Sequence, residues 1–158
     1  MTKQEYINKF ADAFVQSTIG TPLFPSVMLA QALLEGNAGK SVLAMKYNNH
    51  FGIKAGSSWK GPTWFVKTNE HTKNGVQYST KDHFRVYPSL DAGIRDRNTF
   101  LSAPLYKRVL EAKTPEAQCQ ALKDCGYATD VLYPQKLVNI INSYNLKQYD
   151  QKKKNRFD

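Results

Sequence analysis

Five glutamates occur in the chain, Glu5, Glu35, Glu70, Glu111 and Glu116, and two of them sit where a carboxylate can do chemistry. Glu35 ends the segment Val-Met-Leu-Ala-Gln-Ala-Leu-Leu-Glu, which is otherwise almost wholly apolar. The C-terminal end of a helix carries partial negative charge, so an anion there is disfavoured. Leu33 and Leu34 beside it add desolvation. Both effects raise a carboxyl pKa and favour the protonated form, the state a general acid needs near neutral pH. Glu70 falls at the end of a predicted strand, next to a hairpin turn, and strand alternation puts Trp64, Val66, Thr68 and Glu70 on one face. A loop carboxylate that approaches a buried, protonated one completes the usual pair for glycoside hydrolysis. Glu5, Glu111 and Glu116 fall near helix ends or on polar faces and read as solvated.

Other chemistries find no support. Gly36-Asn37-Ala38-Gly39-Lys40-Ser41 mimics a phosphate-binding loop, but the position five residues before Gly39 is Leu34 where that motif needs glycine. The segment also follows a helix where the motif needs a strand. No G-x-S-x-G elbow and no dinucleotide fingerprint occur. His50, His71 and His83 lack metal-ligand spacing, and Cys119 and Cys125 are too few for a disulfide framework, so two free, buried thiols are expected. Basic and aromatic residues are present, but no nucleic-acid-binding module pattern appears.

The elements that must position the two carboxylates follow from periodicity. Tyr6, Ile7, Phe10, Ala13 and Phe14 recur at helical spacing over 3–18. Thr21-Pro22-Leu23-Phe24-Pro25 is a break, Ser26 a plausible N-cap, and Val27 to Glu35 a buried apolar helix stopped by Gly36. A shorter helix covers 40–47. Residues 48–63, with Gly52, Gly56, Gly61 and Pro62, read as loop. Strands over 64–70 and 76–86 flank Lys73-Asn74-Gly75, where Asn-Gly signals a hairpin. Helical spacing returns with Leu90, Ile94, Asn98 and Leu101. A further helix runs from the N-cap Thr114 to Cys125 and stops at Gly126, and a last one from Pro134 to about Leu146. The fold class is α+β, mostly α: helices, a small hairpin, then helices again.

With 158 residues, 41% hydrophobic and 22% charged, the chain has ordinary globular composition and fits one domain. No apolar run approaches the roughly 20 residues needed to span a bilayer. Lys plus Arg number 22 against 13 Asp plus Glu, a formal charge of +9. Such a surface favours polyanions: nucleic acid, anionic membranes or an anionic bacterial wall. The polar start Met1-Thr2-Lys3-Gln4-Glu5 has no apolar stretch after it, so no secretory signal is read in this chain. Action outside the cytoplasm would then need another export route or a domain trimmed from a longer protein. Lys152, Lys153, Lys154 and Arg156 read as a solvated basic terminus.

Several blocks, in order, resemble one family. Ala30-Gln31-Ala32-Leu33-Leu34-Glu35-Gly36-Asn37-Ala38-Gly39-Lys40-Ser41 is similar to the catalytic helix end of glycoside hydrolase family 73, the peptidoglycan β-N-acetylglucosaminidases of flagellar-hydrolase and autolysin type. Asn48-Asn49-His50-Phe51-Gly52-Ile53-Lys54 resembles its Asn-Leu-Phe-Gly-Ile-Lys block, and Ser58-Trp59-Lys60-Gly61 the segment after it. Phe84-Arg85-Val86-Tyr87 with Ser89-Leu90 resembles the strand exit. Gly126-Tyr127-Ala128-Thr129-Asp130, Tyr133 and Lys136-Leu137 resemble the last motif. Three positions depart from the pattern: Asn37 and Ala38 stand where an aromatic is common, His50 replaces a usual Leu, and Val131 a common Pro.

The resemblance implies a lysozyme-like fold with a small β-hairpin lobe beside a substrate groove. It implies hydrolysis of the β-1,4 bond between N-acetylglucosamine and N-acetylmuramic acid in bacterial peptidoglycan glycan strands. Glu35 matches the general acid and Glu70 the second carboxylate on a mobile lobe. Glu70 would activate water, giving inversion; alternatively the substrate's N-acetyl group attacks, oriented by Tyr127 or a carboxylate, giving retention. Asn49, Phe51, Trp59, Trp64 and Tyr133 are expected to bind substrate, the aromatics near the loop by stacking on sugar rings, with core packing the alternative for Phe51. Residues 1–150 would form the catalytic domain and 151–158 a basic tail. The domain is expected to act as a monomer in the periplasm or outside the cell, with no cofactor, metal, nucleic-acid partner or membrane span. Alternatives are a muramidase or lytic transglycosylase on the same fold, or a non-catalytic basic wall-binding module.

Overall fold

The computed structural model describes residues 1–157, apart from the side chains of Thr68 and Phe157. Asp158, the end of the expected tail, lies outside the described residues, as does the side chain of Thr68 expected on the Glu70 face. In chain order the elements are α1 (Lys3–Thr18), α2 (Pro25–Glu35), α3 (Val42–Tyr47), β1 (Thr63–His71), β2 (Gln77–Arg85) and α4 (Leu90–Phe100). A 3₁₀ turn at Pro104–Tyr106 then leads into α5 (Lys107–Glu111), α6 (Pro115–Asp124), α7 (Tyr133–Ser143) and α8 (Lys147–Phe157). The expected α+β, mostly helical architecture is what the chain adopts. The turn and short helix over 104–111 had no counterpart in the sequence reading.

Helix α2 is the centre of the core. Every residue from Pro25 to Leu33 is buried, and α1, α6, α7 and α8 all pack on it. A helix apolar all round has no solvent face to offer, so its neighbours must enclose it. Helix α1 begins with a capping box, Thr2 Oγ1 accepting from the Glu5 N–H at 3.1 Å while the Glu5 carboxylate accepts from the Thr2 N–H at 3.4 Å. It buries Tyr6, Ile7, Phe14 and Val15. Ser89 and Thr114 cap α4 and α6, each accepting from the N–H three residues on.

The two strands pair antiparallel in one register, Thr63 opposite Arg85 through Glu70 opposite Tyr78. An isolated antiparallel bridge between Lys54 and Phe84 adds a single rung on the other edge of β2. Asn74-Gly75 falls in the hairpin turn, as expected. The Gly75 N–H donates to the Thr72 carbonyl at 2.9 Å and Gly75 alone takes positive φ (84°), a type I turn closed by a glycine bulge.

Two expectations, at the start of α2 and in α8, are corrected. Ser26 is not an N-cap; the helix starts two residues earlier than expected, at Pro25, with Phe24 in the cap position and no side-chain bond from it. The free N-terminal groups are met from far along the chain. Asp150 accepts from the Ser26 N–H at 2.9 Å and from the Ser26 hydroxyl at 2.6 Å. The tail expected from residue 151 is the second half of helix α8, and it is not merely solvated. Lys153 Nζ donates to the carbonyls of Thr21 and Leu23 at 2.7 and 2.6 Å.

A carboxylate at a helix N-terminus both accepts orphan N–H groups and complements the helix dipole. Asp150→Ala is therefore expected to destabilise the protein by about 1–2 kcal/mol, and Asp150→Asn by less, since an amide oxygen still accepts one bond. Thermal denaturation of the two variants against wild type checks the ranking.

Candidate active site

Glu35 is the last residue of α2, and the chain turns sharply behind it. Asn37, Ala38 and Gly39 all have positive φ (49°, 53° and 78°). The loop 48–53 folds against this end so closely that side chains are excluded. A Cβ on Gly36 would lie 2.9 Å from the Ala32 carbonyl oxygen and 3.0 Å from that of His50. Gly52 has φ +66°, and a Cβ there would lie 3.1 Å from Glu35 Oε2. Glycine is needed at 52 for both the backbone conformation and the space. Asn49, fully buried, shapes the loop: Nδ2 donates to the carbonyls of Ile53 and Arg85, both at 2.9 Å, while Oδ1 accepts from the Phe51 and Ile53 N–H groups.

The Glu35 residue keeps an edge on the surface, but its carboxyl is desolvated. Burial pushes the pKa up to about 7; the Glu70 charge adds to the rise, while Tyr133, Lys136 and Lys54 oppose it. Glu70 is treated in the opposite way. Burial alone would raise its pKa, but hydrogen bonds from Lys54 and Thr129 and the Lys54 charge outweigh that and hold it below the ordinary value. The Lys54 ammonium forms an ion pair with Glu70 and lies 3.3 Å from Asp82, and Thr129 Oγ1 donates to Glu70 Oε2 at 2.6 Å. The strand register explains the set, because Val66 pairs with Asp82 and Glu70 with Tyr78, placing Glu70 and Asp82 on one face. The hairpin tip is tied to the loop after α6 a second time, the His71 N–H donating to Thr129 Oγ1 at 2.9 Å. One carboxyl is thus biased to hold its proton and its neighbour to lose it.

The other expected site residues divide. Trp64 is part-exposed on the Glu70 face and stacks on Tyr47, ring centroids 5.0 Å apart. Trp59 is part-exposed too, 4.8 Å from the Arg85 guanidinium, its Nε1 donating to the Pro62 carbonyl at 3.0 Å. Each keeps only part of its surface exposed. Three residues expected to touch substrate do not reach the surface. Phe51 is 0% exposed and Asn49 0%, so the first is core and the second a loop brace. Tyr133 is 2% exposed, its ring buried behind Glu35. The Tyr127 hydroxyl donates to the Phe51 carbonyl at 2.7 Å, so its proton is spent on holding the loop rather than free to orient a substrate group. His50, in place of the usual Leu, is a core residue, its Nδ1 2.7 Å from the Tyr6 hydroxyl. Burial drops its pKa to about 4, which keeps it neutral.

Sequence reasoning missed Lys54 as the partner of Glu70, and it missed Gln31 and Arg97 behind Glu35. Lys54 carried no periodic signal. Gln31 could have been noticed, since it stands one helical turn before Glu35. So could Arg97, because 90, 94, 97 and 101 form one helical stripe; Arg97 is wholly buried while Asn98 is only half-buried. Among the described residues, no helix is long and apolar enough to cross a membrane and no cluster of three His, Cys, Asp or Glu could hold a metal ion.

A buried helix ending in a desolvated glutamate, with a second carboxylate on an adjoining hairpin, is the arrangement of a lysozyme-like glycoside hydrolase domain. The glucosaminidase family, described as mannosyl-glycoprotein endo-β-N-acetylglucosaminidase, matches residues 11–146. The chain belongs to this family, glycoside hydrolase family 73. It is 36% identical over 135 residues to the exo-glucosaminidase LytG of Bacillus subtilis, covering 82% of this chain and 47% of that protein. It is 39% identical over 120 residues to the peptidoglycan hydrolase FlgJ of Escherichia coli, covering 73% and 38%. The chain thus spans less than half the length of these relatives. The catalytic domain of the autolysin Auto from Listeria monocytogenes superposes with TM-score 0.75 at 34% identity, covering 94% of this chain and 87% of that one.

The raised pKa of Glu35 has a stability consequence. In the unfolded chain the carboxyl ionises above its ordinary value of 4.5, whereas in the fold it stays protonated up to about 7. Its favourable contribution is complete below the unfolded value and is lost as pH rises through the folded one. Glu35→Gln, neutral at every pH, is expected to be more stable than wild type at pH 8, by up to about 3 kcal/mol, with the gap closing toward pH 4. Denaturant titrations at the two pH values measure it.

Proposed function

We propose that this domain hydrolyses the β-1,4 bond between N-acetylglucosamine and N-acetylmuramic acid in bacterial peptidoglycan. The observation that carries the reading is the opposite bias on two carboxyls, one of which feels the charge of the other, Glu35 held protonated to about pH 7 and Glu70 held ionised. Environments that push two carboxyl pKa values apart assign an acid and a base. Glu35 gives its proton to the glycosidic oxygen as the bond to the anomeric carbon breaks. Glu70 takes a proton from a water attacking that carbon from the opposite face, and the configuration inverts. Glu70 then releases its proton to solvent and Glu35 recovers one from it. Commitment of the Tyr127 hydroxyl to the Phe51 carbonyl favours this route over one in which Tyr127 orients the substrate's N-acetyl group. Both carboxylates come from one chain, so the reading needs no second copy. The name of LytG, a glucosaminidase, agrees with the bond class, and that of FlgJ, a peptidoglycan hydrolase, with the substrate. The formal charge of +9 suits an anionic wall and would steer association most strongly at low salt.

Purified peptidoglycan digested by wild type is expected to yield new reducing N-acetylglucosamine ends by mass spectrometry, and Glu35→Gln none. Reducing muramic or anhydro ends would instead place the domain among muramidases or transglycosylases. Since Glu35 must be protonated to act, the rate should fall as pH rises past about 7, tracking the folded-state titration of that carboxyl. Glu70→Gln is expected to lower kcat by about 10²–10⁴ with its fold intact, the ordinary weight of a general base.

A further inference from the structure

Arg97 is fully buried. Its guanidinium lies 5.7 Å from the centre of the Phe51 ring, and its hydrogen bonds go to amide oxygens and, among the described residues, to no carboxylate. Nε and Nη2 donate to Gln31 Oε1 at 3.2 and 2.7 Å, and Nη1 donates to Asn98 Oδ1 at 2.9 Å. A guanidinium has donors only, so it settles which end of the Gln31 amide faces it. The oxygen must point at Arg97 and the NH₂ must point away. That NH₂ donates to the Tyr133 hydroxyl oxygen at 2.9 Å. A phenol has one proton. With its oxygen already accepting from Gln31, Tyr133 is left with one proton to donate, and the Glu35 carboxyl is close enough to feel it, Tyr133 lowering its pKa.

We propose that Arg97 and Gln31 are positioning residues for the acid: the chain Arg97–Gln31–Tyr133–Glu35 passes a fixed donor direction from a buried cation to the reacting carboxyl. The proposal rests on the reading of Glu35 as the acid. Gln31 stands one turn before Glu35 on α2, so the same rigid helix carries both the relay and its target. Two consequences follow. The carboxyl is held at one oxygen, which leaves the other free to face the glycosidic oxygen. And a hydrogen bond donated to a carboxylate favours its ionised form. This offsets part of the burial effect and keeps the proton labile enough to leave near neutral pH.

Gln31→Glu separates the relay from mere packing. The new carboxylate has nearly the same shape and accepts from Arg97 at least as well, so the melting temperature should hold or rise. It has no donor for Tyr133, whose proton should turn toward it and away from Glu35. Titration of the Glu35 carboxyl by ¹³C NMR is expected to move upward by about one pH unit, since a hydrogen bond to a charged group has that order of effect. The alkaline limb of peptidoglycan hydrolysis should move with it. An unshifted titration in a folded variant overturns the relay. The added charge could also raise the Glu35 titration directly, so the substitution is repeated in Tyr133→Phe. The relay requires most of the shift to vanish in that background, and an undiminished shift overturns it. Tyr133→Phe alone keeps the ring and Arg97 in place and reads the last link; if Glu35 then titrates as in wild type, the relay is refuted even should Gln31→Glu not fold. The NMR titration needs no turnover. An active Glu35→Gln would defeat the functional reading while leaving the titration result to stand for the hydrogen-bond chain itself.

Discussion

Keeping one carboxyl out of water at the end of a buried helix is the constraint on which the rest of the molecule depends. Helix α2 can hold Glu35 at the edge of the core only because Pro25 to Leu33 are enclosed by other helices. Its C-terminal end is a poor place for an anion, by dipole and by desolvation together. That end must also be covered by something that contributes no side chain, because any Cβ at 36 or 52 would strike a backbone oxygen or the carboxyl itself. The loop 48–53 supplies the cover. It is shaped by the buried amide of Asn49 and pinned from above by the Tyr127 hydroxyl at the Phe51 carbonyl. Residues that look like candidates for touching sugar are therefore used to hold the acid in place.

The second carboxylate needs the reverse environment, and the hairpin provides it without touching the core. Glu70 is reached by an ammonium from the loop and a hydroxyl from the segment after α6. The strand register puts Asp82 on the same face, where it shares Lys54. These are contacts at the edge of solvent, so each is individually weak. In the proposed mechanism the lobe would need to give up only a few of them to move, while Glu35 on α2 stays fixed. A rigid acid and a movable base suit a long polymeric substrate, which must enter before water is positioned.

Much of this was legible in the sequence because the relevant signals are local. The apolar run before Glu35 has no polar face, which forces burial and flags the glutamate that breaks it. Alternation in 64–70 put Glu70 with Trp64 and Val66, and the pairing of β1 with β2 keeps them on one side. Ser26 misled because its type suits a cap, while the groups that satisfy the helix start come from Asp150, 124 residues away in sequence. Phe51, Asn49 and Tyr133 misled for a related reason. A motif shows that a residue matters to a site, not on which side of the carboxyl it stands. Lys54 and Arg97 were missed because a pairing across the fold leaves no trace in spacing, although Arg97 did fall on an apolar stripe.

The polar groups buried around α2 share one logic. Asp150 meets the helix start, where an anion is favoured, and Glu35 occupies the helix end, where it is not. The first stabilises the helix that the second strains. Arg97 lies between them, unpaired by any carboxylate among the described residues, and its charge is dispersed through amides and an aromatic face. A carboxylate directly on Arg97 would hold the guanidinium more firmly, but it would also reverse the donor chain that ends on Glu35. The amide at position 31 satisfies the cation and still presents an N–H to Tyr133, which a carboxylate cannot do. A neutral linker between a buried cation and a reactive acid thus serves a purpose that maximal local stability would defeat, since the acid's proton must be both retained before the reaction and released during it.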